Sequence, residues 1–124
     1  MHELTASGSY SLVIKLNGRQ TNTLKWTTFS VGSESNNYRL SVSGFDRGPQ
    51  GGKLTLGDRL QDHNGRGFHT RDRLSAGGST CPLVNGGVGW WYTGCWQCHL
   101  NWGYSRGPQY NGDNDESIMI LKRK

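Results

Sequence analysis

Large apolar residues recur at every second position near the start of the chain. Residues 10–16 alternate, residues 24–31 form a run rich in Trp, Thr, Phe and Val, and residues 38–42 alternate again. A period of two is typical of a strand that buries one face and exposes the other. The pattern predicts one antiparallel sheet, and Asn17-Gly18 marks a tight turn after the first strand.

The alternation ends at Gly44, and most of the remaining chain is irregular. Residues 47–52 combine glycines with a proline and predict a loop, while residues 54–63 have room for a short helix at most. Residues 64–112 show almost no periodicity, but their many aromatic side chains argue against disorder. Irregular segments of this length are usually functional when the domain is folded. Residues 118–121 are apolar and predict a last strand that rejoins the sheet.

The composition fits one domain of the α+β class. The chain has 124 residues, among them 19 Gly, 5 Trp and 5 Tyr. So many glycines indicate long loops, and a few large rings anchor them. We expect a small twisted antiparallel sheet within residues 1–44, and short helices with a loop-rich recognition region over residues 45–124.

The net charge of +5 comes from Lys and Arg residues scattered along the chain. Only residues 122–124 form a basic run, which a solvated terminus explains better than a nucleic-acid site. No stretch approaches the roughly 20 apolar residues that span a bilayer. Residues 1–3 lead straight into polar sequence, without the pattern of a signal peptide. We therefore expect neither nucleic-acid binding nor a membrane span.

The three cysteines, Cys81, Cys95 and Cys98, leave several interpretations open. Two residues separate Cys95 from Cys98, which is the spacing of zinc knuckles and of redox motifs. A zinc site needs more ligands, and only Cys81 and His99 are candidates. A redox motif is expected at the start of a helix, which this Gly- and Trp-rich stretch does not offer. One disulfide with an odd thiol is the favoured alternative, and it implies an oxidising compartment.

Several segments, in this order, resemble the fibrinogen-related (fibrinogen C-terminal) domain family. Each is weak alone, but together they cover nearly the whole chain. They are His2-Glu3-Leu4-Thr5 with Tyr10-Ser11-Leu12, residues 29–44 (FSVGSESNNYRLSVSG), Gly57-Asp58-Arg59-Leu60, His63-Asn64-Gly65 with Phe68-His69-Thr70-Arg71-Asp72, Cys81 followed by Trp90-Trp91-Tyr92-Thr93-Gly94-Cys95, and Leu100-Asn101.

The resemblance implies part of a fibrinogen-like domain, beginning in the middle of the family's fold. It implies a secreted, extracellular recognition module and no enzyme. The first expectation is lectin-like binding of carbohydrate or acetylated glycans in innate-immune pattern recognition, as in ficolin-like and tachylectin-like relatives. The alternative is a protein–protein module that binds a receptor or a peptide, as in fibrinogen, tenascin or angiopoietin relatives. Oligomers are expected where a longer chain supplies N-terminal segments.

The resemblance also implies the site residues. Cys81 and Cys95 match the family's C-terminal disulfide, which ties the loop region and leaves Cys98 without a counterpart. The family's pocket lies beside the second cysteine and is often shaped by a non-proline cis peptide bond, here Gly94-Cys95. For the Trp90-Trp91 pair, core packing is favoured over ligand contact. The ligand-binding residues expected are Asn85, Trp91, Tyr92, Gly94, Cys95, Trp96 and His99.

A calcium site of the family's kind would lie at residues 72–79, where Asp72 is the one remaining acid. Because Ca²⁺ takes six to eight oxygen ligands, we expect at most a weak site there. Asp113, Asp115 and Glu116 form a second acidic cluster that a solvated loop explains better.

The four histidines lie in dissimilar contexts, and no nucleophile or paired-carboxylate motif accompanies them. This favours a binding module over an enzyme. We expect His63 to lie in a turn and His69 to lie on the surface of a strand.

Overall fold

The structure is a computed structural model that describes residues 1–18, 21–50, 57–70, 72, 89–92, 100–101, 110 and 116–124. Its described elements are helix α1 (His2–Ala6), strand β1 (Tyr10–Asn17), strand β2 (Thr21–Val31), a 3₁₀ turn (Glu34–Asn36), strand β3 (Leu40–Gln50), a second 3₁₀ turn (Gln61–His63) and strand β4 (Glu116–Arg123). The four strands form one antiparallel sheet in the order β3-β2-β1-β4. The α+β class is confirmed, and so is the last strand.

The core lies on one face of the sheet because the apolar positions of neighbouring strands are in register. Leu12, Ile14 and Leu16 of β1 are fully buried. Leu12 pairs with Trp26 on one side and with Leu121 on the other, so one apolar row crosses three strands. Each buried side chain of this size contributes roughly 1.5–3 kcal/mol. On the other face of β1, Ser11 and Val13 are also buried, at 7% and 5% exposed, so the predicted alternation of buried and exposed positions is wrong for these two residues.

Strand β3 continues to Gln50, so the loop predicted from residue 47 is wrong for residues 47–50. The strand stays paired with β2 as far as Asn22 opposite Gln50, and the ring of Phe45 packs 5.2 Å from that of Trp26. β3 lies at the edge of the described sheet, where a proline is tolerated because its missing N–H removes no ladder bond. A period-two pattern alone did not reveal this extension.

Helix α1 is five residues long, too short to be stable by itself in water. Two of its side chains bind the end of β2. Thr5 Oγ1 accepts a hydrogen bond from the N–H of Val31 at 3.1 Å, and His2 Nδ1 donates to the Val31 carbonyl at 2.8 Å. These bonds fix the helix beside the sheet. Within the described ranges, no helix has the length and apolar character needed to cross a membrane.

Residues 57–70 are fastened to the start of β3. Leu40 donates from its N–H to the Arg66 carbonyl at 3.0 Å and accepts from the N–H of Gly65 at 2.8 Å. Asn64 Oδ1 accepts from the N–H of Val42 at 2.9 Å. Residues 64–66 thus satisfy backbone hydrogen-bonding groups at the start of the edge strand β3. These bonds fix the irregular segment beside the sheet.

Candidate ligand-binding site

The segment Trp90-Trp91-Tyr92, singled out from the sequence, lies in the core beside the sheet. The three side chains are 1%, 3% and 4% exposed. Trp90 exchanges two backbone hydrogen bonds with His69, at 3.0 and 3.2 Å. This bridge joins the segment to residues 57–70, and so core packing is the arrangement that the structure gives the Trp90-Trp91 pair.

His63 lies at the end of the second 3₁₀ turn, as expected, and its side chain is fully buried under this segment. Its Nδ1 donates to the Trp91 carbonyl at 2.7 Å, and its ring meets the Trp90 ring edge-on. Burial lowers the pKa of His63 below its ordinary value of 6.5, because desolvation disfavours the charged ring more than the Trp91 carbonyl and Asp62 favour it. His63 therefore holds the segment as a neutral ring.

His69 is also buried, at 8% exposed, although a surface position was expected. The expectation was wrong because the residue lies in an isolated bridge with Trp90 and not in a sheet with a wet face. An alternating pattern cannot reveal pairing between two single residues.

A hydrogen bond from the indole N–H fixes the side chain of Trp91. Its Nε1 donates to the Tyr38 carbonyl at 2.8 Å, and the N–H of Phe68 donates to the Asn37 carbonyl at 2.8 Å. Asn37 and Tyr38 both have positive φ, 54° and 50°, which costs roughly 1–2 kcal/mol per residue without glycine. The left-handed pair thus directs two carbonyls toward the aromatic cluster.

The rings of Phe68 and Trp91 meet edge-to-face with centroids 5.2 Å apart, and those of Trp90 and Trp91 do so at the same separation. Both geometries are favourable for aromatic pairs. A Cβ on Gly89 would lie 2.7 Å from the Phe68 ring. Glycine is therefore required there for Phe68 to approach the tryptophans.

Asp58 connects residues 57–70 to the sheet, and Tyr110 is bound to the start of the same stretch. Asp58 Oδ1 accepts from the Trp26 indole N–H at 3.0 Å and from the N–H groups of Leu60 and Gln61 at 3.1 Å. The Tyr110 hydroxyl donates to the Gly57 carbonyl and accepts from the N–H of Arg59. Single side chains thus bind together stretches more than thirty residues apart.

A cleft of about 880 Å³ opens between helix α1 and the aromatic cluster. That volume is within the range of small-ligand sites. Aromatic rings and aliphatic side chains line its interior, including Phe68, Trp91 and Val31. Polar groups at its lining are the carboxylates of Glu3 and Glu34, the imidazole of His2 and the amide of Asn101.

The cleft includes residues that sequence reasoning missed, above all Tyr38, Phe68 and Glu34. Glu34 and Tyr38 lie in the segment 29–44 and Phe68 lies in residues 63–72, and both segments carry the family resemblance. Asn101 donates from Nδ2 to the Gly89 carbonyl at 3.0 Å and so fixes the residue before Trp90 at one side of the cleft.

Of the expected ligand-binding residues, the structure describes Trp91 and Tyr92. Both are buried, and Trp91 lines the cleft. Their contact with a ligand stays a prediction. The other expected site residues lie outside the described residues: Cys81, Asn85, Gly94, Cys95, Trp96 and His99, with the peptide bond between Gly94 and Cys95.

Asp72 is exposed and accepts a hydrogen bond from Thr70 Oγ1 at 2.6 Å. In the part of the chain that the structure describes, no three His, Cys, Asp or Glu side chains cluster as a metal site would require. The described residues alone do not supply the oxygen ligands of calcium. Calcium binding with the remaining residues of 72–79 stays a prediction.

The comparison with known families agrees with this geometry. Residues 1–122 match the family described as fibrinogen beta and gamma chains, C-terminal globular domain. The chain belongs to that family. Fibrinogen C-terminal domains are binding modules and not enzymes, which confirms the expectation drawn from the histidines and from the resemblance.

Relatives of this fibrinogen C-terminal domain are extracellular. Tenascin-R of Gallus gallus is 31% identical over 116 residues, which are 92% of this chain and 8% of that protein. The fibrinogen-like globe domain of human ANGPTL6 superimposes with a TM-score of 0.75 at 23% identity, over 99% of this chain and 60% of that one. A fibrin D-dimer of lamprey, solved with the peptide ligand Gly-His-Arg-Pro-amide, gives 0.74 at 24% identity, over 97% and 47%. The chain thus spans less than two thirds of the proteins it matches.

Proposed function

We propose that this fibrinogen-like domain is a secreted recognition module that binds glycans, acetylated sugars among them, at its aromatic region. The observation that carries the proposal is the cleft beside Phe68 and Trp91. Its apolar interior suits the methyl group of an acetyl substituent, and its carboxylates and amide suit sugar hydroxyls. The family's extracellular setting is consistent with such ligands.

The proposal extends the site to the residues that follow Tyr92. The family resemblance implies a recognition pocket at Gly94, Cys95 and Trp96. These residues follow the buried segment Trp90-Trp91-Tyr92 by two to four positions. Two hydrogen bonds hold Trp91 within that segment: its Nε1 donates to the Tyr38 carbonyl at 2.8 Å, and its carbonyl accepts from His63 Nδ1 at 2.7 Å. A rigid base of this kind reduces the entropic cost of binding at an adjoining loop.

A second candidate is a module for basic peptides or protein loops. Two carboxylates, those of Glu3 and Glu34, line an otherwise apolar cleft, a combination that suits a peptide with a cationic side chain. The lamprey relative is solved with a short peptide containing arginine. Association with such a peptide is expected to weaken with salt, whereas binding of a neutral sugar is not.

The test is binding to an array of neutral acetylated and non-acetylated glycans, with the Gly-His-Arg-Pro-amide peptide as the rival ligand. The variant Glu3→Gln/Glu34→Gln removes two carboxylates from the cleft. Its matched control, Asp46→Asn/Glu116→Gln, removes two exposed carboxylates elsewhere. Trp96→Ala probes the pocket expected beyond Tyr92.

Saturable binding to acetylated glycans that is lost in the cleft variant or in Trp96→Ala, and kept in the control, supports glycan recognition. Salt-sensitive binding of the peptide alone, lost in the cleft variant, supports the second candidate. A protein that unfolds cooperatively and binds neither ligand contradicts both.

A further inference from the structure

The two edges of the described sheet differ in how their backbone groups are satisfied. At the β3 edge, Leu40 and Val42 bond to residues 64–66, and Pro49 has no N–H to offer. At the other edge, β4 pairs with β1 on one side, and no other strand within the described ranges pairs with its opposite side. An unpaired edge of this kind is a template for another strand.

Strand β4 is regular over its whole length. It pairs with β1 from Glu116 to Arg123 without a register shift, whereas shifts interrupt the pairing of β2 with both of its neighbours. Prolines and bulges usually protect an edge strand, and β4 has neither. Near its middle, on the face opposite the core, Ile118 is 43% exposed. At about 3.4 Å per residue, β4 offers an edge roughly 27 Å long.

The sequence of β4 is complementary to itself in the antiparallel direction. A two-fold axis normal to the sheet keeps each face on its own side, so that residues of the same face lie opposite one another. With the axis at Met119, Glu116 lies opposite the partner's Lys122, and Ile118 lies opposite the partner's Ile120. An axis at Ile118 or at Ile120 would instead set a charged residue opposite an isoleucine. Charge and apolar character therefore select the register centred on Met119.

Both charged residues of this register are accessible. Glu116 and Lys122 are exposed. Asn17 donates to only one of the two Glu116 carboxylate oxygens, and Lys122 forms no ion pair within the described part of the chain. Opposite charges directly across two strands stabilise the pair, and two-fold symmetry makes this contact occur twice in one interface.

We propose that β4 pairs with β4 of a second copy of this chain, so that two four-stranded sheets join into one. Because residues 64–66 occupy the start of the β3 edge, each described sheet has one free edge, and the pairing closes at two copies without growing into a fibre. The cleft includes Met119, so both clefts lie on the same face of the joined sheet. The pairing itself does not depend on the function proposed for the cleft.

The test is sedimentation equilibrium between about 5 μM and about 500 μM protein, at about 50 mM salt. Glu116→Lys and Lys122→Glu each place like charges opposite one another in the dimer. An equimolar mixture of these two variants restores opposite charges in the mixed dimer, and the double variant restores them in its own dimer. The matched control, Lys25→Glu, makes the same charge change at an exposed lysine of β2. Thermal unfolding verifies that every variant is folded.

The parent is expected to dimerise, and each single variant to have a dimer Kd at least about tenfold higher. Lys25→Glu, the mixture and the double variant should stay within about threefold of the parent. Hydrogen exchange of β4 amides should slow as the parent associates, since the free edge becomes paired.

A parent that stays monomeric at the highest concentration overturns the proposal. Single variants that associate as tightly as the parent also overturn it, as does a mixture that does not recover, since both results exclude this register. Association without slower exchange in β4 places the contact elsewhere and overturns it. A dimer that persists under denaturing, non-reducing conditions is linked through cysteine and overturns it as well.

Discussion

The sheet and the aromatic region are stabilised in different ways. The sheet is stabilised by repeated backbone pairing and by the burial of one apolar face, so that many similar contacts each contribute part of its stability. The aromatic region rests on individual side chains, each bound to a particular backbone group: Asp58, Asn64, Trp91 and His63. A change in the sheet should therefore cost stability in proportion to lost volume. A change in the aromatic region should cost stability when it leaves a buried polar group without its partner.

The largest effect is expected from Trp26, which fills the core and also binds Asp58. Trp26→Ala should lower the free energy of unfolding by about 3–5 kcal/mol in urea titrations, because it leaves a large cavity. Trp26→Phe keeps much of the ring volume and removes the N–H, and so should cost clearly less. If both variants lose the same stability, the sheet does not follow the volume rule.

Asp58 tests whether stability depends on hydrogen-bond partners and not on side-chain volume. Its side chain is small, but its Oδ1 accepts hydrogen bonds from three donors. Asp58→Ala should cost about 2 kcal/mol, because the buried Trp26 N–H is left unsatisfied. Asp58→Asn keeps an acceptor oxygen and should cost under about 1 kcal/mol. Equal losses in the Ala and Asn variants would show that the acceptor is not what matters at this position.

The smallest effect at neutral pH is expected from His63, whose contribution emerges on acidification. Its folded pKa is lowered by burial, whereas in the unfolded chain the ring titrates near 6.5. Above that pH both states are neutral and stability does not change. Below it the unfolded state takes up a proton that the folded state resists, so stability falls as pH falls, by up to about 1.4 kcal/mol per pH unit.

The measurement is the urea midpoint at several values between about pH 7.5 and about pH 5.5, for the parent and for His63→Gln. Glutamine does not titrate, but its amide can still donate to the Trp91 carbonyl. The variant should lose the acid-sensitive part of the curve, and the difference between the curves isolates His63 from the other histidines. Parallel curves for the two proteins would contradict a lowered pKa.

The sheet was largely predictable because its signal is local and periodic. Alternation identified β1 and the start of β3, the run rich in Trp, Thr, Phe and Val at residues 24–31 identified most of β2, and the apolar run at residues 118–121 identified β4. The extension of β3 to Gln50 was missed because a Gly- and Pro-containing segment on an edge strand has the composition of a loop.

The aromatic region was not predictable in the same way, since its contacts join distant residues one at a time. The Trp26–Asp58 bond spans 32 residues and the Trp91–Tyr38 bond spans 53. The sequence identified Trp90 and Trp91 as anchors, but not His63 beneath them or the left-handed turn at Asn37 and Tyr38. Such partners follow from three-dimensional proximity, which no period in the sequence encodes.

The position of β1 in the sheet has a consequence for synthesis of the protein. One edge of β1 pairs with β2, which follows it directly in the sequence. The other edge pairs with β4, and the paired residues Asn17 and Glu116 are 99 positions apart. During translation this inner strand therefore exposes an open edge until residues 116–123 have emerged, and open edges promote aggregation. Chaperone capture of nascent chains that end before residue 116 should consequently exceed capture of chains that have released β4.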